Sequence, residues 1–180
     1  MTERRVVLAL GSNLGDRLAN LQGAVDALFA RPGFEFLTVS PVYQTAPVGG
    51  PEQPDYFNAV LTARTALPAR DILDRAHEVE QAFRRVREEH WGPRTLDVDL
   101  IVAGDEVSDD PALTLPHPRA YERAFVLAPW HDVDPDAEIP GRGRIADLLG
   151  AADRTGVERA AVQLNPPPAR PAPRSPAGRP

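Results

Sequence analysis

Thr95-Leu96-Asp97-Val98-Asp99-Leu100-Ile101-Val102 alternates apolar and acidic side chains from Leu96 to Leu100. A period of two predicts a strand with Leu96, Val98 and Leu100 on one face and Asp97 and Asp99 on the other, their Cα atoms about 7 Å apart. Working outward, this strand is the last of a series. RRVVLAL from residue 4 reads as a buried strand stopped by Gly11, and Asp16 caps a helix with Leu18, Leu21, Val25 and Leu28 on one face, ended by Arg31-Pro32-Gly33. FEFLTVSPVYQT and YFNAVLTART, rich in β-branched and aromatic residues, make a wide hairpin. Pro68 opens a second helix over 69–86, with Ile72, Leu73, Ala76, Val79, Glu80 and Phe83 at helical spacing. The order strand, helix, strand, strand, helix, strand predicts an α+β fold, the ferredoxin-like βαββαβ arrangement, with an antiparallel sheet and helices on one face. C-terminal additions follow: an acidic loop DEVSDDP, a short helix in RAYERAFVLAPW and another in RIADLLG.

Composition narrows the chemistry. The 180 residues, 42% hydrophobic, fit a single domain, placed at 1–164. Residues 165–180, NPPPARPAPRSPAGRP, have little to bury and read as a disordered tail. No apolar run is long enough for a bilayer and the N-terminus lacks a signal-peptide pattern, so a cytoplasmic protein without membrane contact is expected. A net charge of -6 argues against nucleic acid as partner. There is no Cys, so any metal is held by oxygen or imidazole. All 20 basic residues are Arg, which excludes a P-loop lysine and a Lys Schiff base. Any phosphate must be met by guanidinium.

Two carboxylates on one strand face can converge on hard cations such as Mg²⁺, though a solvated sheet face carries the same pattern. Arg84, Arg85, Arg87 and Arg94 lie just upstream, and Arg beside paired carboxylates suits phosphate bound together with metal. GSNLGDR after the first strand has neither the dinucleotide-binding spacing nor the P-loop lysine and reads as a structural turn. The long loop TAPVGGPEQPD ends on Tyr56, Phe57 and Asn58, where an aromatic face and an amide could hold a flat heterocycle or simply belong to the hairpin core. His117 is fixed between two prolines; His77, His90 and His131 make no metal-binding spacing with it.

LALGSNLGDR, SPVYQTAPVGGPEQPDYFNAV, RVREEHWGPRTLDVDLI and LTLPHPRAYERAFVLAPW resemble, in this order, signature segments of the 6-hydroxymethyl-7,8-dihydropterin pyrophosphokinase family. The resemblance covers roughly residues 5–130 and implies a ferredoxin-like fold. It implies transfer of pyrophosphate from ATP to the hydroxymethyl group of the dihydropterin, giving AMP and a diphosphate ester for folate biosynthesis. Asp97 and Asp99 match ligands for two Mg²⁺, and Arg85, Arg87 and Arg94 complete the matched catalytic set. Glu80, Arg85, Trp91 and Arg94 match the ATP site, together with Leu100, Thr114, His117 and Arg123. Thr45, Pro47, Val48 and Asn58 match the pterin pocket, with Tyr56 and Phe125 as its aromatic pair and Asp97 at its edge. His90 departs from the Arg that commonly precedes the Trp of WGPR, offering fewer donors to ATP. A monomer is expected. A ferredoxin-like regulatory module that binds ATP without turnover, and a metal-dependent phosphohydrolase, are the competing readings.

Overall fold

The computed structural model describes residues 2–47, 52–84 and 95–170. The elements in chain order are β1 (Arg4–Ser12), α1 (Arg17–Phe29), β2 (Glu35–Val39), β3 (Tyr43–Thr45) and β4 (Tyr56–Thr65). Next come α2 (Ala69–Phe83), β5 (Asp97–Ala103), β6 (Ser108–Asp110), β7 (Leu113–Leu115) and α3 (Ala124–Val133), the last preceded by a 3-10 turn over 120–122. The chain closes with β8 (Glu138–Ile139), β9 (Gly143–Arg144), α4 (Ile145–Ala151) and β10 (Val157–Arg159). The main sheet runs β10-β3-β4-β1-β5, with β2 also paired to β4, and every pairing in it is antiparallel.

The βαββαβ order holds, and α1 and α2 cover one face of the sheet. Their core joins Leu8, Leu10, Leu61, Val98 and Leu100 to Leu21, Leu28 and Ile72, all 5% exposed or less. The opposite face carries Val7, Val60, Ile101 and Val102, and these are buried by α3 and α4 through Leu127, Trp130, Ile145 and Leu149. Helices therefore lie on both faces once the C-terminal additions are included, because the second face is itself apolar and needs cover.

Local departures from the sequence expectations have local causes. Gly11 does not stop β1, which continues to Ser12. Pro41, with no N–H to donate, divides the long predicted strand into β2 and β3. Ser40 bridges the break: its N–H donates to the Val60 carbonyl at 2.8 Å, and its Oγ accepts from the Val60 N–H at 2.9 Å. The acidic loop is a β6–β7 hairpin whose turn is closed by the Ala112 N–H donating to the Asp110 carboxylate at 2.9 Å. Asp16 caps α1, accepting from the Ala19 N–H at 3.0 Å. Near the C-terminus, Leu164 packs into the α1/α2 core and Asn165 exchanges two hydrogen bonds with Gln22. No helix among the described residues is long and apolar enough to cross a membrane.

Candidate active site

The face of the sheet that meets α3 changes character along its length. On β1 it reads Val7, Ala9, Gly11; on β4 Val60, Asn58, Tyr56; on β5 Ile101, Asp99, Asp97. Registers align these changes, with Ala9 opposite both Val60 and Asp99, and Gly11 opposite both Asn58 and Asp97. The apolar ends lie under α3 and α4, and the small and polar ends floor an open cleft of about 270 Å³.

Thr45, Pro47, Tyr56, Asn58, Asp97 and Phe125 all line this cleft, joined by Asp99 and Arg123. Asn58 is buried and its amide donates to Thr45 Oγ1 at 2.6 Å, which fixes the side-chain orientation from the neighbouring strand. Gly11 makes room for that amide: a Cβ there would stand 2.9 Å from Asn58 Oδ1. Arg123 lies 5.5 Å from the Phe125 ring centroid. Burial and the neighbouring Arg119 hold the Arg123 guanidinium below its ordinary value. Flat walls, one amide and a pair of carboxylates suit a polar heterocycle that carries a reactive arm.

A second cleft of about 230 Å³ runs along the outer side of β5, an edge strand of the main sheet among the described residues. Leu100, Thr114 and His117 line it, and Asp99 is shared with the first cleft. His117 is placed by its own N–H, which donates to the Ile101 carbonyl at 2.8 Å where a bulge in β5 shifts the register against β1. Burial lowers the affinity of the His117 imidazole for a proton, and Asp99 opposes that effect.

Glu80 lines neither cleft. It lies behind β5, where its Oε1 accepts from the Val98 N–H at 2.9 Å and its Oε2 from Arg84 at 3.1 Å. Val98 sits between Asp97 and Asp99, so this carboxylate supplies β5 with a hydrogen bond that no neighbouring strand among the described residues provides. Burial is the main reason its carboxyl is pushed up to about 7, against the lowering effects of the Val98 N–H and Arg84. The Arg84 guanidinium also reaches Asp97 at 3.9 Å. Val48, Arg85, Arg87, His90, Trp91 and Arg94 lie outside the described residues.

The turn GSNLGDR is a fastener. The Asn13 amide donates to Gln53 Oε1 at 2.8 Å and to the Pro54 carbonyl at 3.1 Å, and Arg17 donates to the Asp55 carbonyl at 2.8 Å while stacking on Phe57. It thereby ties down the segment that enters β4 at Tyr56. Sequence reading missed Gly11 as a cleft residue, and it missed Leu73 and His77, which line the second cleft. The i, i+4 spacing of Leu73 and His77 on α2 was the available signal.

Among the described residues no group of three or more His, Asp or Glu is arranged as a metal cage. Asp97 and Asp99 nonetheless fit a hard cation that takes its remaining ligands from substrate and water: both line the first cleft, and they project from one strand face.

A ferredoxin-like sheet thus carries a pair of carboxylates at two adjoining clefts, Asp99 lining both and Asp97 the first, an arrangement suited to two small substrates that react with each other. The chain matches the family profile described as 7,8-dihydro-6-hydroxymethylpterin-pyrophosphokinase (HPPK) over residues 7–135. It is 47% identical over 173 residues to a 2-amino-4-hydroxy-6-hydroxymethyldihydropteridine pyrophosphokinase of Mycobacterium leprae, covering 89% of this chain and 88% of the relative. To the enzyme of the same name from Pseudomonas aeruginosa it is 40% identical over 156 residues, with 87% and 96% covered. In fold it is similar to an HPPK-DHPS triple mutant of Plasmodium falciparum solved with pteroate, with a TM-score of 0.68 at 13% identity. That alignment covers 88% of this chain but 47% of the other, so this chain spans about half of that fusion protein. The chain belongs to the 6-hydroxymethyl-7,8-dihydropterin pyrophosphokinase family.

Proposed function

We propose that the protein transfers the pyrophosphoryl group of ATP to 6-hydroxymethyl-7,8-dihydropterin, with the pterin in the first cleft and the nucleotide in the second. The observation that carries this placement is Asp99, the acidic residue common to both clefts. Two reacting arms that approach from either side of one residue meet there. In the reaction the pterin hydroxyl oxygen attacks the β-phosphorus, the bond from that phosphorus to the oxygen bridging it to the α-phosphorus breaks, AMP leaves and the hydroxyl proton is released.

Most of the described cleft residues have a task in this scheme. Tyr56 and Phe125 bracket the ring, while Asn58, held by Thr45, reads its polar edge. Ala9 and Gly11 keep the floor low enough for a flat ring to lie on the sheet. In the second cleft Leu100 and Thr114 face the nucleotide base and His117 its phosphates, while Arg123 stands toward those phosphates from the wall of the first cleft. Asp97 and Asp99 are the proposed ligands of two Mg²⁺, which when bound would neutralise phosphate charge. Arg85, Arg87, Trp91 and Arg94 enter the proposal by sequence: they lie between the end of α2 and Asp97, so their segment leads directly to the carboxylates. Catalysis of this kind rests on positioning and charge neutralisation.

A monomer at work in the cytoplasm is part of this proposal. The test is a coupled assay with ATP, Mg²⁺ and the reduced pterin. AMP should form only when the pterin is present. Phosphate release without pterin would instead indicate a hydrolase, and ATP binding without AMP formation a regulatory module.

A further inference from the structure

The family match ends at residue 135, yet the chain returns to the sheet with β10. β10 pairs with β3, setting Val157 opposite Thr45, Glu158 opposite Gln44 and Arg159 opposite Tyr43. Two hydrogen bonds extend the seam at its ends: the Ala160 N–H donates to the Val42 carbonyl at 2.8 Å, and the Ala46 N–H to the Gly156 carbonyl at 3.3 Å. On the flank, Arg159 reaches Asp132 of α3 at 3.0 Å, on the same carboxylate oxygen that accepts from the Tyr43 hydroxyl at 2.5 Å.

β3 is three residues long, and it carries Thr45 and runs into Ala46 and Pro47 at the rim of the first cleft. A strand so short, paired on one side only, would be free to fray. β4 holds it on one side through Asn58 and Thr45, and β10 holds it on the other. The turn before β10 also walls a further cavity of about 490 Å³ that shares Thr45, Ala46, Arg123 and Phe125 with the first cleft.

We infer that β10 is a positioning element of the pterin cleft: the Gly156 carbonyl and the Arg159 guanidinium hold β3 and Ala46 where the cleft rim must stand to receive the ring. The inference rests on the assignment of the pterin to this cleft. Gly156 and Arg159 are positioning residues, since neither lines the cleft itself.

Gly156 has φ +74, and a Cβ there would meet Ala46 Cβ at 3.4 Å, so Gly156→Val strains the turn and presses on the rim together. Arg159→Ala removes the flank contact from an exposed site where folding is not at risk. For each variant, Kd for 6-hydroxymethylpterin is measured by calorimetry with a non-hydrolysable ATP analogue and Mg²⁺ present, alongside kcat, both KM values and the melting midpoint. Gly156→Val should raise pterin Kd and KM about five- to tenfold, with KM for ATP and kcat within about twofold, the pattern of lost uniform binding to one substrate. Arg159→Ala should raise pterin KM about two- to threefold, and Arg159→Lys should restore it. Equal rises in both KM values would overturn the inference, as would a lowered melting midpoint with pterin affinity unchanged. If Gly156→Val does not fold, an unchanged pterin KM in Arg159→Ala overturns it alone. Asn58→Ala separates the two levels: if it weakens pterin binding and the β10 variants do not, only the inference falls, whereas if it leaves binding unchanged the cleft assignment falls as well.

Discussion

Gly11→Ala adds one methyl group to the floor of the first cleft, and the structure fixes what that methyl meets. Its Cβ would stand 2.9 Å from Asn58 Oδ1 and 3.7 Å from the Tyr56 ring, so the Asn58 amide must give way by a few tenths of an ångström. That amide is held at 2.6 Å from Thr45 Oγ1, and weakening a buried hydrogen bond costs about 1 kcal/mol. Replacing Gly by Ala within a strand returns a similar amount by restricting the unfolded chain, about 0.4–1 kcal/mol. Stability should therefore stay close to wild type, with a melting midpoint within a few degrees. Binding has no such offset, because the displaced amide no longer meets the polar edge of the ring. The loss of one well-placed hydrogen bond, about 1–3 kcal/mol, predicts a pterin Kd raised roughly 5- to 150-fold. Calorimetry with 6-hydroxymethylpterin and a melting curve on the same preparation measure the two quantities side by side. A Gly11→Ala protein that binds the pterin within twofold of wild type would refute the account of Asn58 and of the cleft floor.

Asp97→Asn and Asp99→Asn should each lower AMP formation by several orders of magnitude while circular dichroism and melting stay near wild type; near-normal turnover would remove both residues from the metal assignment. Glu80 gives a pH signature. Its carboxyl is pushed up to about 7 from an ordinary 4.5, so between those values the folded chain keeps a proton that the unfolded chain has lost. Its contribution to stability is complete below pH 4.5 and falls as pH rises to about 7. Glu80→Gln removes this slope, so in chelator-treated protein the variant should gain on wild type by about 3 kcal/mol across the window, read by urea denaturation. A difference that does not change with pH would show that Glu80 is ionised throughout.

The elements that periodicity could specify were those long enough to repeat it. β1, β4, β5, α1 and α2 were readable because each buries a stripe of apolar residues against one layer. β10, with Val157 half-buried and Glu158 and Arg159 exposed, buries almost nothing and left no pattern to read. Gly11 was taken for a stop because Gly weakens strands, whereas here the missing side chain makes space for Asn58. At the site, alternation set Asp97 and Asp99 on one face but left a solvated face as the alternative; Tyr56 and Asn58 stood out as an aromatic and an amide at a loop end, and Thr45, Pro47, Val48 and Phe125 entered only through the resemblance. Glu80 entered through the resemblance as an ATP-site residue, but its contact with β5 lay beyond both kinds of signal. Its core-facing place on α2 was visible, but its partner is a backbone N–H of β5, and backbone groups leave no trace in side-chain patterns.

Among the described residues β5 is an edge strand of the main sheet, and edges invite association between molecules. Here the two site carboxylates stand on that strand, and Glu80 occupies its Val98 N–H. The groups proposed to bind metal and substrate thus also guard the molecule against strand-to-strand aggregation. Neutralising Asp97 and Asp99 would therefore take charge from this edge strand as well as from the cleft.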